Sequence, residues 1–283
     1  MGALSGYRAL VTGASGGIGA EIARALARRG AALVLSARRT ELLDQLADEL
    51  RVASGVAVDV IAADLAAPAA AGALWTRATA GGAVDILINN AGFGHFRAFG
   101  DVELIRETEM MQLNMIALVE LSHALVAAHR DRPPARPAYL LNVASVAAWQ
   151  PVPNFATYAA TKVFVRNFSE ALYLEQRGRG VRVTCLCPGG TITDFHATAG
   201  AGNYGRLANA SMLSAATVAE QGVRAMLRGK KTVVTGFLNK LSCFFTGMAP
   251  RAITSRASMW VMGKPRGGAL PAHTGSSTPG PPS

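Results

Sequence analysis

Ala9-Leu10-Val11 runs directly into Thr12-Gly13-Ala14-Ser15-Gly16-Gly17-Ile18-Gly19, after which Ile18, Ile22, Ala25 and Leu26 continue at helical spacing. An apolar strand, a glycine-rich turn and an amphipathic helix in that order leave few folds open. Glycines permit the tight turn and let backbone amides approach a phosphate, while the new helix turns its positive end toward it. Strand before and helix after are the surroundings that make such a string a dinucleotide site rather than a flexible loop.

The remaining chain repeats the alternation. Ala32 to Ser36 reads as a second buried strand, followed by the helical stripe Leu43, Leu46, Ala47 and Leu50. Further strands are predicted over Val56–Ala63, Val84–Ile88, Tyr139–Val143, Val181–Cys187 and Thr232–Thr235, with a long helical region from about Val102 to Ala128. Apolar strands separated by helices of roughly a dozen residues imply an α/β, Rossmann-type doubly wound parallel sheet of about seven strands, with helices on both faces. Ligands then bind at the carboxyl ends of the strands. The distinctive residues all fall there: Arg38 and Arg39, Asp64 and Leu65, Asn90-Ala91-Gly92, Ser145, and Pro188-Gly189-Gly190-Thr191-Ile192-Thr193. At the end of the second strand an acid would hold a ribose 2′-hydroxyl, whereas an arginine accommodates a 2′-phosphate. Here Arg38 and Arg39 follow and no acid does.

Tyr158 and Lys162 stand four residues apart on a predicted helix whose apolar stripe is Phe164, Phe168, Ala171 and Leu172. Residues i and i+4 share a helix face, so the ammonium can lie beside the phenol and favour phenolate. That makes Tyr158 a candidate general acid/base. The pair alone is also compatible with a packed tyrosine and an unrelated exposed lysine.

At 283 residues and 50% hydrophobic, the chain can bury one large α/β core. Cys185, Cys187 and Cys243 show neither paired nor metal-ligand spacing, so no disulfide framework and no metal site is expected, and a reducing, cytoplasmic setting fits. No leader or lipidation signal is expected in the first residues, where Gly6 stands at a position that myristoylation gives to Ser or Thr. The net charge of +10 is uneven: Lys230, Lys231, Lys240, Arg251, Arg256, Lys264 and Arg266 contribute +7 with no acid among them. A body near neutrality, without a basic patch interleaved with aromatics, argues against nucleic-acid binding.

Taken in order and spacing, Thr12-Gly-x-x-x-Gly-x-Gly19, Asn89-Asn-Ala-Gly92, Asn114, Ser145, Tyr158-x-x-x-Lys162 and Pro188-Gly-x-x-x-Thr193 resemble the short-chain dehydrogenase/reductase family, over about residues 5 to 235. The resemblance implies an NADP(H)-dependent oxidoreductase interconverting a carbonyl and an alcohol. It implies a catalytic set of Asn114, Ser145, Tyr158 and Lys162, with Gly13, Ser15, Gly17, Ile18 and Gly19 at the pyrophosphate. Asp64 and Leu65 would meet the adenine, Asn90, Ala91 and Gly92 the middle of the cofactor, and Pro188, Gly189, Thr191 and Thr193 the nicotinamide end, where Tyr158 and Lys162 also touch it. It implies a homodimer or homotetramer as well. Phe93, Phe96, Trp149, Phe155 and Phe195 are candidates to line an apolar substrate pocket, beneath a lid around Ala197 to Ser211. A reading from another class, a non-catalytic NADP-binding sensor or scaffold, has no use for a polarised tyrosine.

The expected organisation is a catalytic domain over 1–235, an amphipathic helical extension over 236–264 and a flexible tail over 265–283. In the extension, Phe237, Leu241, Phe244, Phe245 and Met248 keep helical spacing, and Ile253, Ala257, Trp260 and Val261 repeat it beyond Pro250. Such stripes either fold back over the pocket or subunit interface, the favoured expectation, or give weak peripheral contact with an anionic membrane.

Overall fold

The computed structural model describes residues 2–130, 136–192 and 212–262. The strands are β1 (Arg8–Thr12), β2 (Ala32–Ala37), β3 (Val58–Ala62), β4 (Ile86–Asn89), β5 (Ala138–Val143), β6 (Val181–Cys187), the short β7 (Thr191–Ile192) and β8 (Leu213–Ser214), and β9 (Thr232–Val234). Seven of them form one sheet in the order β3-β2-β1-β4-β5-β6-β9, every neighbouring pair parallel. β7 and β8 make a separate two-stranded ribbon. The predicted β3 and β4 were offset by up to two residues, since apolar residues flanking a strand look the same in sequence as those within it.

The helices are α1 (Gly17–Ala27), α2 (Thr40–Ser54), α3 (Ala70–Ala80), α4 (Leu104–Met111), α5 (Leu118–His129), α6 (Ala156–Glu175), α7 (Ala215–Leu227), α8 (Phe237–Met248) and α9 (Arg251–Met262). Alternation along β1 sets the two layers. Ala9 and Val11 face α1, α2 and α7, joining Ile22, Leu26, Leu43, Leu50, Val218 and Val223. Leu10 faces the other way, joining Leu74 of α3, Leu121 and Leu125 of α5, and Leu172 of α6. Burying both faces is what a parallel sheet requires.

The long helix is not uniform. Between α4 and α5, Gln112–Ala117 is π-helical, and Asn114 lies inside it. Leu104–His129 as a whole has the length and hydropathy to cross a membrane, yet α5 packs on β4, β5 and α3. Across the sheet's middle runs a buried polar chain. Asn89 Nδ2 donates to Ser122 Oγ (3.0 Å) and to Asn142 Oδ1 (2.9 Å), and Asn142 Nδ2 donates to Ser169 Oγ (3.0 Å). It links α5, β4, β5 and α6 by directional bonds, where apolar contact would fix only the spacing.

The stripe of α8 does not fold back over the pocket, one half of the favoured expectation. Asn239 and Cys243 are the buried residues, while Phe237, Leu241, Phe244, Phe245 and Met248 are exposed. The helix meets the body with its polar side, so its apolar residues cover neither pocket nor core. Of the second stripe, Ile253 is exposed.

Candidate active site

β1 and β4 are neighbours whose connections leave in opposite directions, so a crevice opens at their carboxyl ends. The glycine-rich turn lines it. Gly13 holds φ at +66°, and a Cβ there would lie 2.8 Å from Asn90 Nδ2 and 2.9 Å from Ala91 Cα. Gly17, at φ +54°, opens α1, whose first turn has no side-chain cap, leaving its amides to an anion. Gly19 lies against the Gly13 carbonyl with no room for a side chain. Ile18 is half-buried against the core beneath.

The turn is clamped to β4. Thr12 Oγ1 donates to Ile88 O (3.1 Å) and accepts from the amides of Asn90 and Ala91 (both 3.1 Å). Asn90 Nδ2 donates to Thr12 O (3.0 Å) and Gly13 O (3.1 Å). Asn90, expected along the middle of the cofactor, spends its side-chain amide on shaping the turn.

The two arginines after β2 diverge. Arg39 Nη2 donates to Ser15 Oγ (3.3 Å), bringing a cation over the glycine-rich turn, whereas Arg38 Nη1 stands 4.0 Å from Asp64 Oδ2 at the end of β3. Arg39 is the residue before α2 and makes no side-chain cap there. Leu65 is buried in the core with Ala71 and Leu74.

At the other end of the crevice, β5 delivers Ser145 and α6 delivers Tyr158 and Lys162. Ser145 Oγ accepts from Ala147 N (3.1 Å), an arrangement that leaves the hydroxyl hydrogen available to donate. Lys162 is buried; Nζ donates to Val143 O (2.9 Å) and lies 5.6 Å from the centre of the Tyr158 ring. Burial pushes its pKa down from the usual 10.5 to about 8, opposed by the nearby Cys185 and Cys187. The Tyr158 ring stacks on Phe155, centroids 4.2 Å apart and 19° from parallel.

Asn114 joins this group from the π-helical turn. Its Nδ2 donates to Phe93 O (3.0 Å) and Thr161 Oγ1 (3.1 Å), and its Oδ1 accepts from Phe93 N (3.2 Å). Thr161 Oγ1 in turn donates to Tyr158 O (2.7 Å). Asn114 therefore ties the loop after β4 to α6. Gly92 and Gly94 let that loop pass close. A Cβ on Gly92 would lie 2.9 Å from Asn114 Oδ1, and one on Gly94 would lie 2.6 Å from Tyr158 Cδ2. Phe96 and Phe155 are core beneath the tyrosine rather than open pocket wall. His95 is buried beside Phe93, and burial, reinforced by Arg106 and Arg97, pushes its pKa down to about 4, so it is neutral at ordinary pH.

Pro188 and Gly189 follow β6, and Thr191 Oγ1 donates to Gly189 O (3.0 Å). Thr193, Phe195 and the lid 197–211 lie outside the described residues. The fold thus brings Asn114, Ser145, Tyr158 and Lys162 to one end of the crevice and the glycine-rich turn, Arg38 and Arg39 to the other. Sequence reading quoted Thr12 within the glycine-rich motif but gave no role to it, to Gly94 or to Thr161, small residues whose importance comes from what they touch. Among the described residues no cluster of metal-ligating side chains occurs.

A family model described as short chain dehydrogenase matches residues 7–203. The chain is 31% identical over 258 residues to dehydrogenase/reductase SDR family member 7B of Rattus norvegicus, covering 86% of this chain and 77% of that protein. It is 36% identical over 195 residues, 69% of the chain, to glycine betaine reductase ATRR of Emericella nidulans, of which it spans only 15%. Among solved structures, a short-chain dehydrogenase from Sphingobium yanoikuyae in complex with NADPH superposes with a TM-score of 0.74 at 30% identity, covering 86% of this chain and 94% of that one.

Proposed function

Because the chain belongs to the short-chain dehydrogenases, an oxidoreductase family, we propose that it interconverts an apolar ketone or aldehyde and its alcohol by hydride transfer, with NADP(H) as cofactor. The observation that carries this reading is the placement of a buried Lys162 beside Tyr158, with Ser145 and Asn114 at the same strand ends.

The residues present fit the cofactor. The close-packed Gly13 and Gly19, with the uncapped start of α1, make a cradle for a pyrophosphate. Arg39 over Ser15 and Arg38 beside Asp64 suit the 2′-phosphate, and NADPH in the Sphingobium yanoikuyae structure supports the choice. When bound, the nicotinamide supplies or accepts the hydride.

The chain's own groups then handle the proton. In reduction Tyr158 gives its phenolic proton to the carbonyl oxygen; in oxidation it takes the proton back. Ser145, whose oxygen already accepts from Ala147, donates to the same oxygen as negative charge develops there. Charged Lys162 favours the phenolate, and its shift toward pH 8 keeps it close to proton exchange at neutral pH. Asn114 acts by position, holding the loop after β4 against α6.

The same reading includes a homodimer or homotetramer through α5 and α6, whose outer surface carries the exposed Phe164 and, from the adjoining π-helical turn, Ile116. Light scattering at micromolar concentration would show a monomer if this is wrong. The reaction is tested with NADPH against a panel of ketones and aldehydes. Tyr158→Phe should lower turnover on any active compound by roughly 10²–10⁴-fold, with cofactor affinity retained. Binding of NADPH without turnover across the panel would instead make the protein a cofactor-binding sensor.

A further inference from the structure

α8 is an amphipathic helix mounted with its polar side inward. Asn239, buried, donates from Nδ2 to Thr235 O (2.9 Å), and its amide fills the space beside Gly189. Cys243 is buried one turn on. Facing solvent are Phe237, Leu238, Leu241, Phe244, Phe245 and Met248, between 42% and 77% exposed. α9 adds Ile253 at 60%, and is fastened to the body by Ser258 Oγ, which donates to Pro151 O (2.7 Å). Soluble proteins rarely leave so many large apolar side chains adjacent on one surface without a partner.

We propose that this face docks on an anionic lipid bilayer, with the rings of α8 in the headgroup boundary and flanking cations on the phosphates. Charge identifies the occupant. Lys240 and Arg256 are exposed on the two helices, and from Lys230 onward the sequence holds seven basic residues and no acid. A second copy of the chain would set these like charges against each other, whereas an anionic surface neutralises them and receives the apolar side chains. The fastening points, Gly189 and Pro151, flank the strand ends that carry Ser145 and the Pro188 turn. Docking would therefore hold that rim of the crevice beside the membrane, where an apolar carbonyl compound concentrates. The lipid contact stands independently of the proposed reaction; only this last consequence rests on it.

The test is co-sedimentation of the full chain with vesicles of phosphatidylcholine and of phosphatidylcholine mixed with phosphatidylglycerol, which needs no turnover. The expected result is salt-sensitive binding to the mixed vesicles. Phe244→Ser with Phe245→Ser, and separately Lys240→Glu with Arg256→Glu, should each weaken it about tenfold or more at an unchanged melting temperature, since all four side chains are exposed. Failure of the parent to sediment with either vesicle would overturn the proposal, as would sedimentation unaffected by loss of the two rings. So would an assembly, seen by light scattering without lipid, that the ring variant dissociates, for then the face joins two copies.

Discussion

Replacing Lys162 by Met should make the cofactor-free protein more stable while removing its turnover. Lys162 is buried, and its pKa of about 8, against 10.5 for a lysine in water, measures what confinement costs its charged form. That difference corresponds to on the order of 3 kcal/mol at neutral pH. Met fills nearly the same volume without charge, but it leaves Val143 O without its donor, a loss of about 1 kcal/mol. The net expectation at pH 7 is a gain of about 2 kcal/mol, read as a higher urea midpoint at unchanged slope. The pH dependence identifies the cause. Below pH 8 lysine is charged in both folded and unfolded parent, so the full penalty is present. Between 8 and 10.5 the unfolded chain binds the extra proton, so parent stability rises with pH and the variant's advantage shrinks. An Lys162→Met protein no more stable than the parent at pH 7, or an advantage constant from pH 7 to 10, would refute the reasoning.

Other outcomes follow from the same geometry. Arg39→Ala and Arg38→Ala should each weaken NADPH roughly ten- to a hundredfold and leave NADH almost untouched, by fluorescence titration of both cofactors. Gly94→Ala drives a methyl into Tyr158 and Phe155, so calorimetry should show a loss of about 1–3 kcal/mol together with reduced turnover. His95 is neutral when folded down to about pH 4 but protonates near 6.5 when unfolded, so it contributes stability present above pH 6.5 and lost as pH falls toward 4. His95→Phe should therefore lose less stability than the parent between pH 7 and 4.5 in urea titrations.

The sheet was legible because each strand is a short apolar run and each helix carries a stripe, two periods that do not mimic one another. The strand ends were legible for the same reason, since a parallel sheet puts them all on one edge. Contacts between side chains were not. Asn114 reads as one polar residue in an apolar helix, and nothing local says that its amide reaches Phe93 and Thr161. Leu65 stands next to a strand end, but its apolar side chain turns into the core. In α8 the spacing gave the helix and its two faces. Which face turns inward depends on Thr235 and Gly189, which a helical wheel does not include.

The π-helical turn at Gln112–Ala117 means that the chain from Leu104 to His129 is two α-helices joined through one wide turn, five residues per hydrogen-bonded step instead of four. One residue in that stretch is surplus to an α-helix. Losing it would let the helix close up, and everything upstream would turn by about 100° and slide about 1.5 Å relative to α5. Glu107 and Met110, now buried, would leave their places, and Asn114 would swing away from Phe93 and Thr161. A single-codon deletion there, which puts the apolar stripe before it out of phase with the stripe after it, would uncouple the loop after β4 from α6.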